Sequence, residues 1–397
     1  MNSKVGILVF IVMFVFVSGC WSRYEIQTLA FVGGIGIDII KENGKDRVLL
    51  TTNIYQPSLV GGGQDGGGGF KGKPIYLRVT ATGDTIEDAE RNINTRIARK
   101  LFFGEARFVL VGEKVAQDRL MDVIDYLQRN EEIRKRILMI ITKGRASDVI
   151  IKSSEMESTI AKQVSEMAES SGPDVSKVKI WDLLRTTDQL ITPGQDPVIA
   201  QIMTSLSIPT KPESQPVEVF RFAGGGVIKE GKLVGWLEEA ETRGYLLATG
   251  QANRGALTVR MGGRSKLDTS IAITHAKGNV KMKASGNDVT AKIDVKVEGD
   301  LIEYYRLNKI ATNEGVHGVE DAFNKEIRQE VMAAVKKAQE LDADIFGFGS
   351  NLHRDDPKAW KKLEKDWYEI FPKVKVELNV ISHIRRTGFI SNPYIPK

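Results

Sequence analysis

The sequence predicts an α/β (α+β) protein of three domains, each a mainly antiparallel or mixed sheet packed with helices. Three observations carry that prediction. Apolar, β-branched segments alternate with segments of helical period over the first 150 residues. Near the end a period-2 segment, Val289 to Val297, is followed by a long period-3.6 segment, Val319 to Ala338. Between them, Pro193-Gly194 with Pro197, and later Gly262-Gly263-Arg264, punctuate the chain. These marks give four stretches: residues 1–19 as an export signal, 20–200 as an N-terminal α/β domain, 201–262 as a small middle domain and 263–397 as a C-terminal α/β domain.

The first nineteen residues are read apart from the fold. Lys4 is followed by the apolar run Val5 to Val17 and then by Ser18-Gly19-Cys20. The run is shorter than the roughly 20 residues that a spanning helix needs, and a charged start, an apolar centre and small residues are the parts of an export signal. Cys20 is the sole cysteine of the 397 residues. Val17-Ser18-Gly19-Cys20 resembles a bacterial lipoprotein box, whose cysteine is acylated and becomes the first residue of the mature chain. An ordinary secretory signal with a chance cysteine, or an uncleaved anchor, is the alternative. The coincidence of the one thiol with the one place where lipidation requires it favours acylation.

Leu29 to Ile40 and Arg47 to Tyr55 read as buried strands joined by a hairpin around Glu42-Asn43-Gly44-Lys45. The glycine run from Gly61 to Gly69 reads as a surface loop. Ile75 to Ala81 is a strand, and a helix capped by Asp84 or Thr85 is expected to continue to about Leu101, with Ile86, Ala89, Ile93 and Ile97 on one face. A strand over Phe108 to Val111, a helix over Lys114 to Leu127 and a strand over Ile137 to Thr142 follow. From Ala146 to Thr192 the pattern is helical, with an interruption expected at Ser170-Ser171-Gly172-Pro173. The middle stretch holds a tight hairpin, Phe220 to Leu237, turning at Lys229-Glu230-Gly231-Lys232. A short helix to Ala248 and a strand from Leu257 to Met261 follow it.

The last third is the most regular. Val289, Ala291, Ile293, Val295 and Val297 make one buried face of a strand, and Val319, Phe323, Ile327, Val331, Val335 and Ala338 one face of a helix that stops at Asp344-Ile345-Phe346-Gly347-Phe348-Gly349. Asp355-Asp356-Pro357 carries the cap and first-turn chemistry of another helix, whose apolar stripe is Trp360, Leu363, Trp367 and Phe371. That stripe reads as core in preference to an aromatic ligand pocket. Val374, Val376, Leu378 and Val380 give a closing strand.

Composition excludes several functions. The formal net charge of +5 falls to +4 when Lys4 leaves with the signal, which suits mild attraction to anionic headgroups and no nucleic-acid footprint. Without a cysteine beyond Cys20 there is no intrachain disulfide, no zinc-thiolate site and no cysteine nucleophile in the folded body. Neither GxSxG nor HExxH occurs, and His275, His317, His353 and His383 stand apart from one another. The Gly61 to Gly69 run lacks the Gly-Lys-Ser/Thr ending of a phosphate loop. Gly33-Gly34-Ile35-Gly36 lies inside a strand, where close packing explains it. Glu131-Glu132 and Glu238-Glu239 are adjacent and point apart on regular structure, so neither forms a catalytic dyad. No catalytic, cofactor or metal residue is assigned; the one assigned chemistry is acylation of Cys20, with its covalent diacylglycerol and N-acyl lipid.

Several segments together resemble the C-subunit lipoproteins of bacterial spore germinant receptors, the Ger(x)C family. They are Gly19-Cys20-Trp21-Ser22-Arg23-Tyr24-Glu25-Ile26, Ala30 to Asp38 (AFVGGIGID), Arg129 to Arg134 (RNEEIR) and Lys232 to Leu237 (KLVGWL). The most specific is the C-terminal set: Ala343 to Gly349 (ADIFGFG), His353, Pro357, Trp360, Trp367, Phe371-Pro372 and Ile384 to Gly388 (IRRTG). The Gly61 to Gly69 insertion and the valine at position 17 depart from the family pattern. The resemblance implies a three-domain, non-enzymatic lipoprotein held by Cys20 on the outer face of the spore inner membrane. It would act with integral membrane A and B subunits in a nutrient receptor that triggers germination. Direct germinant binding by this subunit is left open. The competing class is a solute-binding lipoprotein of a membrane transporter, which would show two doubly wound lobes around a ligand cleft; a hydrolase has the least support. Candidate contact surfaces are Trp21 to Ile26 and exposed residues around Phe348 and His353.

Overall fold

The computed structural model describes residues 25–55, 76–150, 160–207, 216, 218–252, 254–261, 268–286, 288–304 and 313–387. Cys20, the signal and the Gly61 to Gly69 run lie outside them. In chain order the elements are β1 (Leu29–Glu42), β2 (Lys45–Tyr55), β3 (Tyr76–Gly83), α1 (Ile86–Asn94), β4 (Lys100–Phe102), β5 (Phe108–Gly112), α2 (Glu113–Asp118), α3 (Leu120–Arg129), β6 (Leu138–Thr142), α4 (Ala146–Ile150), α5 (Ile160–Val175), β7 (Trp181–Asp182) and α6 (Leu183–Ile191). There follow β8 (Val198–Leu206), β9 (Glu218–Lys229), β10 (Lys232–Leu237), α7 (Glu239–Ala248), β11 (Gly255–Arg260), β12 (Asp268–Ser285), β13 (Asp288–Glu303), α8 (Asn313–Glu340), α9 (Phe348–Asp355), α10 (Pro357–Leu363), α11 (Trp367–Ile370) and β14 (Lys375–Arg386).

The mixed α/β class holds, and the described strands form two sheets. The first is ten-stranded, in the order β10-β9-β8-β6-β5-β1-β2-β3, with β4 beside β1 and β7 beside β6. Its centre is parallel: β1 with β5, β5 with β6 and β6 with β8. Its flanks are antiparallel hairpins. The second sheet, β11-β12-β13-β14, is antiparallel except for β14, which runs parallel to β13.

The middle stretch, expected over 201–262 as a domain with its own sheet, is divided between these two. β9 pairs with β8 from Val198↔Val227 to Leu206↔Glu218, so β9 and β10 extend the first sheet, while β11 opens the second. The reason is burial: Ala223 to Ile228 are buried on both faces of β9, and such a strand needs a neighbour along each edge.

Other differences are local. The first helix stops at Asn94 instead of Leu101, and the chain turns at once into β4. The expected helix over Lys114 to Leu127 is two helices broken at Arg119, which leaves helical geometry at φ −141°. Helix α5 continues to Val175 through the expected interruption at Ser170-Ser171-Gly172-Pro173.

Helices α1, α2 and α3 cover one face of the first sheet, and their core joins Ile86, Ala89, Val123 and Leu127 to Val32, Leu50 and Val109. Helices α4 and α5 cover the other. On the second sheet α8 presents Val319, Phe323, Ile327, Val331 and Val335 to Ile293, Val295 and Val297. Helix α7 crosses α8 closely: a Cβ on Gly244 would fall 2.1 Å from the Glu330 carbonyl oxygen, and Arg243 beside it makes a buried bidentate pair with Glu330. Val198, Val227 and Leu237 of the first sheet belong to this second core, so the two sheets share packed side chains.

Candidate functional site: the carboxylate junction

The segment after α6 contains Pro193-Gly194 and leads to β8. Gly194 adopts φ +68°, and a Cβ there would lie 2.7 Å from the Gly349 backbone and from the Trp360 ring. Glycine is therefore required both by conformation and by space. Against this segment sits the loop after α8. Ser350 donates its backbone N–H to the Gly194 carbonyl at 3.0 Å.

Two buried carboxylates complete the contact. Asp196 N donates to the Asp344 carbonyl at 2.9 Å, and Asp344 N donates to Asp196 Oδ2 at 2.7 Å. Tyr368 Oη donates to the other oxygen, Asp196 Oδ1, at 3.1 Å. Asp344 Oδ1 accepts from Phe348 N at 2.8 Å, while its Oδ2 accepts from Gly349 N at 2.8 Å and Trp367 Nε1 at 3.0 Å. These acceptors satisfy donors at the start of α9, where Gly347, at φ +65°, has no side chain to cap it.

Burial dominates the charge of both acids. It pushes Asp344 up to about 7 against the pull of its three N–H donors, and the neighbouring Asp196 charge adds to the rise. Asp196 is pushed up to about 6, also by burial, with hydrogen bonds from Asp344 and Tyr368 and the Lys229 charge opposing. Lys229 Nζ lies 4.7 Å from the Tyr368 ring centroid. The arrangement fixes backbone and aromatic donors; it presents no open carboxylate to a substrate.

The aromatic stripe is core. Trp360 and Trp367 are buried with ring centroids 5.4 Å apart, and Phe371 lies 6.5 Å beyond Trp367. Phe348, whose segment the sequence placed in the core in preference to a pocket, is fully buried between Phe346 at 5.4 Å and Phe371 at 5.9 Å, which leaves the candidate contact surface around it to exposed neighbours. An aromatic that starts a helix capped by a buried acid has its ring drawn into the core with the cap. His353 is exposed and stacks on Trp360 at 5.9 Å. Of the N-terminal candidate surface, Trp21 to Tyr24 lie outside the described residues, and Ile26 is 74% exposed just before β1.

The sequence reading missed Asp196 and Tyr368. Asp196 lies 148 residues from its partner, in a stretch that read as a seam; its only signal was an acid set between two prolines. A half-open cleft of about 360 Å³ lies at the entry to β5 and β6. Its Arg134 is bonded to Glu105 at 2.9 Å, so that charge is spent within the wall, and the cleft belongs to the first sheet, not to a gap between two lobes. Among the described residues no group of three or more His, Cys, Asp or Glu could hold a metal ion, and no helix is long and apolar enough to cross a membrane.

These features define a two-sheet α/β protein whose halves are joined by a buried carboxylate junction. Comparison with known proteins gives the particular family. Residues 22–204 match the family described as "Spore germination protein N-terminal domain", and residues 223–388 match "Spore germination B3/GerAC like, C-terminal". The chain belongs to this family, the Ger(x)C family. It is 26% identical over 388 residues to Spore germination protein KC of Bacillus subtilis (strain 168), covering 94% of this chain and 93% of that protein. It is 25% identical over 395 residues to Spore germination protein B3 of the same organism, covering 98% of each, and 21% identical over 385 residues to Spore germination protein GerQC of Bacillus cereus, covering 96% and 98%. A solved structure, the crystal structure of the GerBC protein, shares the fold with a TM-score of 0.53 at 19% identity, covering 88% of this chain and 97% of that one.

Proposed function

We propose that the chain is a lipid-anchored, non-enzymatic subunit of a nutrient germinant receptor, which assembles with integral membrane A and B subunits on the outer face of the spore inner membrane to trigger germination. The observation that carries the reading is the span of the family match: it runs through both sheets and begins at residue 22, two residues after the one cysteine. Met1 to Gly19 lie outside it, as a removable signal would. A diacylglyceryl and N-acylated Cys20 supplies more than one lipid chain, which is what stable anchoring takes. Glu25 is five residues further on, so its backbone stays within about 18 Å of the anchor, and the folded body sits against the bilayer. The buried acids serve as hydrogen-bond acceptors, and the reading gives them no catalytic step.

A Cys20→Ala variant tests it. The variant is expected to lose labelled fatty acid and the membrane fraction, and its spores to respond poorly to the cognate nutrient. Full germination with a protein shown to be unacylated would sink tethering as its role.

A further inference from the structure

The outer face of the second sheet carries an arrangement of charge that the junction and the anchor do not explain. Strands β12, β13 and β14 turn Ala276, Val280, Met282, Ala291, Ile293 and Val380 inward to the core. The alternate residues face away from α8. In register across the sheet, Lys277 stands directly opposite Lys296, and Lys281 opposite Lys292. Lys283 and Lys375 flank Thr290 in the next row. All six lysines are exposed. Like charges directly opposite on neighbouring strands oppose sheet formation, yet two such pairs are stacked here.

The acids on this face, Glu298, Asp294 and Glu377, offset the six lysines only in part. Glu298 is held by Arg385, and Asp294 accepts from Asn379 Nδ2 at 3.1 Å. Glu377 is the cross-strand neighbour of Lys292, and His275 and His383 flank Glu298. Ile381, 39% exposed, lies beside Lys296. The ammonium groups cover about 20 Å along the strands and about 10 Å across them.

We infer that this lysine face docks on an anionic lipid surface, so that the subunit lies on the bilayer with the second sheet turned toward the headgroups. The face is the outer side of three paired strands, with its lysines spread over several rows instead of gathered at one point. Its cations are lysines, compact point charges suited to a diffuse array of phosphates, whereas paired recognition of single carboxylates favours the fork of arginine. Each lysine near such a surface adds attraction that decays within a Debye length. The inference deepens the tethering reading and rests on it, since the anchor brings the face to the bilayer; the two are separable because one is carried by Cys20 and the other by the lysines.

The test is binding of the full chain to phosphatidylglycerol vesicles and to phosphatidylcholine vesicles, beside a Lys277→Gln/Lys281→Gln/Lys292→Gln/Lys296→Gln variant. Any contribution of the lipid chains or the signal is common to both proteins, so the readout is the ratio of affinities for the two lipids. The expected ratio is at least tenfold for the native chain at 50 mM salt, falling toward one at 500 mM and in the variant. Circular dichroism and thermal melting should show the variant folded, because the replaced groups are solvated. An unchanged ratio in the folded variant overturns the proposal. So does lysine-dependent binding of a glutamate-rich peptide without preference for phosphatidylglycerol, which would assign the face to an acidic protein. Loss of acylation at Cys20 would leave the lysine-dependent ratio intact, so failure of the tether and failure of this docking are told apart.

Discussion

Asp38 and Asp344 are both buried acids that accept two backbone N–H bonds at the start of a short helix, yet one serves a single sheet and the other joins two. Asp38, on β1, takes Ala146 N at 2.7 Å and Ser147 N at 2.8 Å and so caps α4. A Cβ on Gly112 would fall 2.1 Å from its Oδ1, so a glycine makes room for it, as Gly194 makes room at the other site. Everything Asp38 touches belongs to the first sheet and its helices. Asp344 adds a third donor, Trp367 Nε1, and a reciprocal pair with Asp196, which leads into the first sheet. One local device, a carboxylate on orphan helix donors, becomes a connection between halves when a second acid reaches it from a distant part of the chain. The junction thus couples the segment that enters β8 to the aromatic corner of α9, α10 and α11.

The first way to break the comparison is to remove each acid in turn. Asp344→Ala leaves three buried N–H groups without an acceptor and frees the start of α9 and Trp367, while the main-chain bonds of residue 344 to Asp196 remain to be made. A loss of about 3 kcal/mol or more is expected in urea unfolding, since hydrogen bonds to a charged group count for about 1.5–3 kcal/mol each and do not simply add. Asp38→Ala removes a helix cap, for which about 1–2 kcal/mol is expected. Limited proteolysis separates the roles more sharply than stability does. Cleavage near Pro193 to Pro197 should quicken in the Asp344 variant and stay as in the native protein in the Asp38 variant. Equal protection in both would show that the second acid is also only a cap.

The pH dependence of stability sharpens the comparison next. Burial raises the folded values of Asp344 to about 7 and Asp196 to about 6, from an ordinary value of 3.8. A raised value means that the folded protein holds protons more tightly than the unfolded chain, so the contribution is full below about 3.8 and is lost as pH rises through about 7. The two acids titrate as a coupled pair. Melting temperature is expected to rise as pH falls from 7.5 to 5, and the rise should shrink in Asp344→Ala. Asp38 is raised as well, by burial, and is left in place in that variant, so any slope that remains reports the cap and not the junction. A slope that is the same in both proteins would place the titration elsewhere.

Much of the fold was legible because its signals are local. The first hairpin turns at Asn43 and Gly44, at φ 52° and 78°, and the β9–β10 hairpin at Glu230 and Gly231, at φ 50° and 74°; both were marked by glycine-bearing turns between apolar runs. The buried faces of β13 and α8 followed from spacing alone. Strand β12 went unread because its period breaks: Ile271 and Ile273 face the core, the register shifts between Ile273 and His275, and Ala276, Val280 and Met282 then carry the inward face on the opposite parity. A bulge of that kind erases the alternation that identifies a strand. The assignment of β9 and β10 to the first sheet was hidden for a different reason. It is a choice of neighbour among exposed edges, and no residue within the hairpin records which edge is nearest. The junction was half visible: Asp344 lies in a segment that resembled a known family, while Asp196 gains its meaning only from a partner far along the chain.

The smallest change that tests the junction is Tyr368→Phe. It deletes one hydroxyl, whose donor bond to Asp196 Oδ1 measures 3.1 Å, and leaves the ring in place over Lys229. The ring packing and the reciprocal backbone pairing persist, so a loss of about 0.5–1.5 kcal/mol is expected, the net value of one hydrogen bond. The hydroxyl also opposes the effect of burial on Asp196. Its removal should therefore push that acid further up, and the fall of stability with rising pH should extend to higher pH than in the native protein. Calorimetric melting across pH 5 to 8 reads both effects at once. A uniform loss at every pH would mean that the tyrosine only fills space, and that Asp196 is held by Asp344 alone.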